Sequence, residues 1–142
     1  MYKSENLIHI LTILESIEKI LIYTEDLDNV DDFFNANDQL NFNATQILLL
    51  TIGEESKKIE EDLKLKYDKI EWKLIANFRN RIAHDYRGVN PDIIFEIIID
   101  YLPEIKSVMI EMLKLIEFNE VILIKAIESK HYKHLKYLLK VK

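Results

Sequence analysis

The side chains best suited to chemistry lie in one short segment, FRNRIAHDYRGVNP, at residues 78–91. The segment holds all three arginines, Arg79, Arg81 and Arg87, whereas the other sixteen of the nineteen basic residues are lysines. It also holds His84, one of four histidines. Guanidinium groups form paired hydrogen bonds with phosphate oxygens, and an imidazole near pH 7 can accept or donate a proton. This combination favours phosphodiester chemistry, in which protons move while cations stabilise the growing negative charge.

Helical spacing decides which of these side chains can act together. Asn80 and Arg81 lie four and three residues before His84, so all three can share one helix face. Arg79 lies about 140° around the helix from His84 and must reach around or face a partner chain. One histidine cannot easily be both base and acid in RNA cleavage by the ribose 2′-hydroxyl, whereas a symmetric dimer supplies two. This metal-free mechanism therefore requires a dimer.

The same segment also has a purely structural interpretation. Its arginines can pair with acidic neighbours at a surface helix end, while His84 and Asp85 cap or solvate the terminus. From spacing alone we favour this interpretation, because local basic clusters are common and short motifs give false positives.

Five helices are predicted to position the segment. Only two glycines and two prolines occur, which argues against the frequent turns of a β-sandwich or barrel and favours an all-α helical bundle. Apolar stripes predict helices at about residues 5–25, 43–66, 69–87, 91–116 and 119–139. We interpret residues 26–42 as an acidic connection with one short turn, because Asp and Asn compete with helix formation.

Local signals predict where these helices begin and which residues they bury. Ser4 is the expected N-cap of the first helix, and Asp68 with Glu71 resembles a capping box for the third. The fourth helix is expected to start with Asn90 as N-cap and Pro91 at the first position, and to kink before Pro103. The buried stripe of the second helix is predicted to contain Ile47, Leu48, Ile52, Ile59 and Leu63.

Gly53 and Glu54 lie inside the second predicted helix. Glycine there costs about 1 kcal/mol relative to alanine, so we expect compensation from the close approach of another helix backbone. Glu54 is a candidate to support the active-site arginines as a carboxylate partner, although a solvated charge is the more common role.

Composition limits the remaining possibilities. A chain of 142 residues with 49% apolar and 31% charged residues is typical of one soluble domain, with a core at about 5–116 and a lysine-rich helical extension at about 117–142. No membrane span, signal peptide or cysteine is present, which favours the cytoplasm. The net charge of −6 restricts nucleic-acid contact to a local surface. His131 and His134 lie among lysines, so we expect no metal site and no cofactor.

The motif RNRIAHDY resembles the signature of the HEPN superfamily, in particular of HepT-like ribonuclease toxins. In this chain the signature is Arg79, four residues, His84, one residue and Tyr86. TIGEE at 51–55 is similar to the family's IGE-containing helix, and GVNPDIIFEIIIDYLPEIK is similar to the segment that follows the motif. The resemblance covers roughly residues 5–116.

The resemblance implies a homodimeric helical bundle that cleaves RNA without a metal ion and is the toxin of a toxin–antitoxin pair. Its partner would be a nucleotidyltransferase antitoxin. Arg79 would stabilise the phosphate, His84 would be the acid or base, and Asn80 would orient His84 or contact RNA. Tyr86 would line the cleft and accept adenylyl groups, which add bulk and negative charge where RNA phosphate must lie.

Two features depart from the family pattern. Glu55 occupies a position where a small residue is expected, which bears on the packing around Gly53, and the lysine-rich extension lies beyond the resemblance. Two other functions remain open. A non-catalytic dimer could bind RNA, nucleotide or the nucleotidyltransferase, and a purely structural interaction protein would do neither.

Overall fold

Residues 1–140 are described by the computed structural model, apart from the side chain of Tyr86. Within this range the chain is helical and has no β-strand, and Tyr2 and Ile116 form an isolated backbone bridge. The α-helices are α1 (Asn6–Tyr23), α2 (Val30–Asn35), α3 (Leu40–Lys58), α4 (Glu61–Leu65), α5 (Trp72–Asp85), α6 (Pro91–Glu96), α7 (Leu102–Leu113) and α8 (Glu120–Glu128). Short 3₁₀ turns cover Tyr86–Gly88 and Lys136–Lys140, and a π-helical turn covers Ile97–Tyr101.

The core is built around α1. Its apolar side chains include Ile10, Ile13, Leu14 and Ile17, which are fully buried. α1 packs against α3 and α7, and α3 also packs against α5. The predicted all-α bundle is confirmed, and the five predicted helices correspond to α1, α3, α5, α6 with α7, and α8. No helix in the described part of the chain is long and apolar enough to cross a membrane.

The start of α1 differs from the prediction. Ser4 is not the N-cap; Glu5 occupies that position and makes no side-chain cap. Instead, the Asn6 amide donates to the Lys3 carbonyl at 2.9 Å and to Glu60 Oε2 at 3.1 Å, and its oxygen accepts from Glu60 N at 2.8 Å. The Asn6 hydrogen bond, followed by the one from the Lys3 backbone, lowers the pKa of the Glu60 carboxyl. Asn6 thus joins the start of α1 to the junction between α3 and α4.

Asn6→Ala is expected to lower the free energy of unfolding by roughly 1–3 kcal/mol, because the buried side chain satisfies three polar partners. Urea denaturation measures the change. Asn43→Ala, at an exposed position of α3, is the matched control and should change it by less than about 0.5 kcal/mol. The contribution of Glu60 to this stability is fully present above the pKa that Glu60 has in the unfolded chain. It is lost as the pH falls through the lower pKa that Glu60 has in the folded protein. Equal stability of both variants would contradict this role for Asn6.

The acidic connection contains the six-residue helix α2, where the sequence predicts only one short turn. Asn29 caps α2 by accepting from Asp32 N at 2.9 Å, and Phe33 is fully buried. The Phe33 ring lies 5.6 Å from that of Phe42 and 5.9 Å from that of Phe95. Burial of this aromatic cluster outweighs the weak helix propensity of the Asp and Asn residues.

The second predicted helix is wrong in its start, its length and one part of its buried stripe, although Ile52, Ile59 and Leu63 are buried as predicted. α3 begins at Leu40, buries Thr45 and Gln46, and leaves Ile47 65% exposed. It stops at Lys58, and α4 follows as a separate turn. The buried stripe is shifted because two polar residues occupy core positions, which a search for apolar periodicity cannot detect.

Two other helix boundaries also differ. α5 begins at Trp72, so Asp68 lies too far upstream to form the predicted capping box. The predicted start of the fourth helix is confirmed, because Asn90 caps α6 by accepting from Asp92 N at 2.9 Å, with Pro91 next to it. A π-helical turn lies just before Pro103, where the sequence predicts a kink. This turn places Ile98 in the core and leaves Tyr101 39% exposed.

The C-terminal extension docks on α1 through polar contacts. The fifth predicted helix ends early, at Glu128, where α8 ends. Beyond it, His134 Nδ1 lies 2.6 Å from Oε1 of the buried Glu15, and the Tyr137 hydroxyl donates to Glu18 at 3.3 Å. Burial, and then the charge of Glu18, raise the pKa of Tyr137. His134 is therefore a hydrogen-bonding partner of α1.

Candidate active site

Gly53 allows α3 and α5 to approach each other at the position of Arg79. A Cβ atom built on Gly53 would overlap Arg79 Cβ and lie 3.0 Å from Arg79 Cγ and 3.3 Å from the Ile75 carbonyl oxygen. The absence of a side chain at Gly53 therefore sets the distance between the two helices. The predicted close approach of another helix at Gly53 is confirmed, and the residue it contacts is the motif arginine.

Glu54 forms an ion pair with the Nε atom of Arg79. Both Glu54 Oε1 and Arg79 Nε are shielded from solvent, so each atom depends on the other for a partner. Arg79 Nη1 donates to Asn80 Oδ1 at 3.1 Å. Lys57 Nζ lies 3.9 Å from the same Glu54 oxygen, which is at the outer limit of an ion pair. The Arg79 head group is thus held from one side, and 29% of its side chain remains open to solvent.

The other polar residues of the motif lie on the solvent-facing side of α5. Asn80, Arg81 and His84 are all exposed, and His84 makes no hydrogen bond or ion pair with any residue that the structure describes. The structure thus brings Glu54, Arg79 and Asn80 into contact, whereas Arg81 and His84 have no partner among the described residues and lie on the solvent-facing side of α5. The predicted role of Tyr86 rests on a side chain outside the described residues.

The sequence analysis missed two residues that extend this face toward the start of α5. Lys73 and Asn77 precede Arg81 at four-residue intervals, and both are exposed. On a helix, Lys73, Asn77, Asn80, Arg81 and His84 fall within an arc of about 100°. The spacing of these polar residues was the signal that could have revealed the face.

The end of α5 is fixed by Asp85 and Gly88. Asp85 Oδ1 accepts a hydrogen bond from Gly88 N at 3.1 Å. A Cβ atom on Gly88 would overlap the Asp85 carboxylate, so glycine leaves room for this contact without adopting a positive φ angle. Asp85 therefore caps the turn that follows His84 and does not extend the exposed polar face.

The opposite side of α5 is apolar and only partly covered. Ile82 is its one buried residue within the described structure, and Leu74 is 43% exposed. A groove of about 300 Å3 runs between this side, α3 and the π-helical turn, where Phe78 and Tyr101 contribute to its walls. An incompletely covered apolar helix next to polar motif residues is typical of a surface that packs against another chain.

Glu55 does not disturb the packing around Gly53. Its Oε2 lies 2.5 Å from His9 Nδ1 on α1, and its Oε1 lies 3.5 Å from Lys58 Nζ. The side chain thus projects toward α1, whereas Gly53 faces α5. In residues 1–140 no group of three or more histidine or acidic side chains is placed to hold a metal ion.

The family model described as "Ribonuclease HepT-like" matches residues 13–112. A Methanocaldococcus jannaschii protein named "Putative RNase MJ0127" is 34% identical over 105 residues, which cover 74% of this chain and 84% of that protein. A Thermococcus cleftensis protein named "Probable ribonuclease HepT" is 30% identical over 95 residues, covering 67% and 84%. No solved structure matches the chain significantly.

The matched region contains the whole arrangement around Arg79 and ends before α8. The resemblance at residues 79–86 is therefore confirmed, and the chain belongs to the HepT-like family of the HEPN superfamily.

Proposed function

We propose that this protein is a metal-independent endoribonuclease and the toxin of a toxin–antitoxin pair. The observation that carries the proposal is the arginine of the family motif, held by Gly53 and Glu54 beside an exposed face that includes His84. The relatives named as ribonucleases support the same reaction class. RNA is the expected substrate because its 2′-hydroxyl supplies an internal nucleophile.

The proposed reaction uses two copies of the chain. His84 of one copy removes the proton from the 2′-hydroxyl, whose oxygen attacks the phosphorus. The bond to the 5′-oxygen breaks, and His84 of the second copy donates a proton to that oxygen. The products are a 2′,3′-cyclic phosphate and a 5′-hydroxyl. Arg79 stabilises the negative charge that grows on the phosphate oxygens in the transition state.

The exposed apolar side of α5 supports the proposed homodimer. Leu74 and Tyr101 lie at the groove beside this helix, and Ile99 nearby in the chain is 55% exposed. Covering these side chains with a second copy would bring two copies of α5, and thus two His84 side chains, toward one cleft. Light scattering should then give twice the chain mass of 16.9 kDa.

Inhibition is proposed to act on the same cleft. A nucleotidyltransferase antitoxin would adenylylate Tyr86, two residues after His84. The added phosphate would repel the RNA backbone, and the added nucleoside would fill the space beside His84. Intact-mass measurement of the protein produced with and without such a partner would detect the modification.

The test of the ribonuclease proposal is incubation of the purified protein with mixed RNA in excess EDTA, followed by identification of the product ends. Wild type is expected to release cyclic phosphate and 5′-hydroxyl ends, and His84→Ala to release none while remaining a dimer. His84→Ala also controls for contaminating nucleases. If the unmodified dimeric wild type does not cut, the alternative is favoured: a dimer that binds RNA, nucleotide or the nucleotidyltransferase without cleaving it. In that case Arg79→Ala would weaken binding and His84→Ala would have little effect.

A further inference from the structure

An open cleft of about 750 Å3 lies beside the first half of α5, one turn before Arg79. It lies between the first half of α5, the end of α3 and α4. The α5 wall contains Trp72, Lys73, Ala76 and Asn77. Trp72, Ala76 and Arg79 follow each other at four- and three-residue steps, so they lie on the same side of the helix. Ala76, which lines the cleft, is therefore one turn from Arg79 on the same side of α5.

Trp72 is held in a fixed orientation. Its Nε1 donates to the Lys64 carbonyl at 3.2 Å, and Lys64 Nζ lies 5.9 Å from the centre of the ring. Lys64 itself is 7% exposed, donates to the Ser56 carbonyl at 3.2 Å and pairs with Glu61 at 3.0 Å. An indole with its polar atom satisfied and its position fixed is a suitable platform for stacking a base.

Lys73 is the lysine of this cleft that has no carboxylate partner among the described residues. Lys64 is neutralised by Glu61, and Lys57 is near Glu54. Glu71 also lines the cleft and is exposed. Lys73 forms no ion pair with the described residues and is exposed at the mouth of the cleft. Lys73 is thus the cation that is available to a phosphate.

Asn77 connects the cleft with the catalytic face. Its exposed amide lies one turn after Lys73 and two turns before His84. The distance along the helix from Asn77 to His84 is about 10 Å, which a short oligonucleotide can span. The amide offers both donors and an acceptor to the edge of a base.

We propose that this cleft binds one nucleotide of the RNA, a short distance along the strand from the phosphodiester that is cleaved. The base stacks on Trp72, Asn77 hydrogen bonds to the base edge, and Lys73 contacts a flanking phosphate. The proposal rests on the proposed function in one respect, that the ligand is RNA. It makes the cleft a determinant of where the strand is positioned over Arg79 and His84.

Trp72 is the single tryptophan of the chain, so its fluorescence reports this binding directly. The experiment titrates the full-length His84→Ala protein, in EDTA, with a short oligoribonucleotide and separately with the four nucleoside monophosphates. The oligoribonucleotide is expected to quench the fluorescence saturably. Weaker quenching by the monophosphates is expected, because they lack the flanking phosphates. Tighter binding of a monophosphate than of the oligoribonucleotide would overturn the assignment to RNA in favour of a free nucleotide.

Two substitutions and a matched control complete the test. Lys73→Gln and Asn77→Ala are each expected to weaken binding about tenfold. Lys73→Gln is also expected to lower the slope of log Kd against log salt concentration by about the amount that corresponds to one phosphate contact. Lys114→Gln removes the same charge at an exposed position that lines neither the cleft nor the apolar groove, so binding should be unchanged. Absence of quenching, or equal weakening by Lys114→Gln and Lys73→Gln, would overturn the proposal.

The proposed nucleotide-binding cleft and the proposed ribonuclease activity can fail independently of each other. Specific quenching in a protein that never cleaves RNA would support the subsite and reject the nuclease. Cleavage by wild type with sites and rates unchanged in Lys73→Gln and Asn77→Ala would support the nuclease and reject the subsite.

Discussion

Gly53→Ala is expected to lower the free energy of unfolding by roughly 1–3 kcal/mol, although alanine is normally the better helix residue by about 1 kcal/mol. The new Cβ would overlap Arg79 Cβ, which cannot rotate away because it is attached directly to the backbone of α5. The two helices must therefore separate. RNA cleavage should fall on the order of 100-fold, because a shift of about 1 Å at the arginine misplaces its charge relative to the phosphate. Urea denaturation and initial cleavage rates measure the two effects.

Gly88→Ala is the matched control for this prediction. Its new Cβ would also overlap a neighbour, but the neighbour is the carboxylate of Asp85, whose other atoms lie at 2.9 and 3.2 Å. Asp85 is exposed and can rotate away with the loss of one hydrogen bond, so we expect a change of about 1 kcal/mol or less. If Gly53→Ala were as stable and active as wild type, the helices would not be in the contact described here.

A second substitution separates the helix spacing from the charge. Arg79→Ala keeps a Cβ atom, so it should not relieve the overlap in Gly53→Ala. Arg79→Gly removes that atom, so adding Gly53→Ala to Arg79→Gly should cost less stability than adding it to wild type, without restoring cleavage. An equal cost of Gly53→Ala in both backgrounds would place the strain at Ile75, which is the other close neighbour of Gly53.

Predictions from the sequence succeeded where the chemistry is local. Asn90 and Pro91 begin a helix because the cap and the fixed φ angle act within a few residues. Gly53 indicated a close contact because glycine inside a helix needs compensation. The motif at 79–86 indicated the family because its residue types and spacing are specific.

Predictions failed where distant contacts decide the structure. Thr45 and Gln46 are polar, yet both are buried in α3. The buried face of α3 is therefore shifted, and Ile47 is exposed. The acidic segment forms α2 because Phe33 is buried in an aromatic cluster with Phe42 and Phe95. Glu54 and Arg79 are twenty-five residues apart, and only the packing of α3 on α5 makes them partners. From the sequence Glu54 is a candidate partner of an arginine, but a solvated charge is the favoured interpretation.

Arg79→Ala is expected to reduce cleavage by roughly 100- to 1000-fold, because the loss of one preorganised donor to a transition-state oxyanion generally has an effect of this size. Arg79→Lys should be almost as inactive, because an ammonium cannot pair with Glu54 through one nitrogen and present others to the phosphate. Both effects should appear mainly in kcat, since the charge on the phosphate grows in the transition state. Single-turnover cleavage with saturating RNA measures them. A variant that loses affinity but keeps kcat would assign Arg79 to ground-state binding.

Glu54→Gln tests whether the carboxylate acts through Arg79. The substitution keeps the shape of the side chain and removes its charge, so Arg79 loses its ion pair, and kcat should fall about tenfold. In the Arg79→Ala background the same substitution should have no further effect, because its only route to the reaction has been removed. Independent, additive losses would indicate a separate role for Glu54. A rise in kcat would show that Glu54 competes with the RNA phosphate for Arg79 and restrains the enzyme.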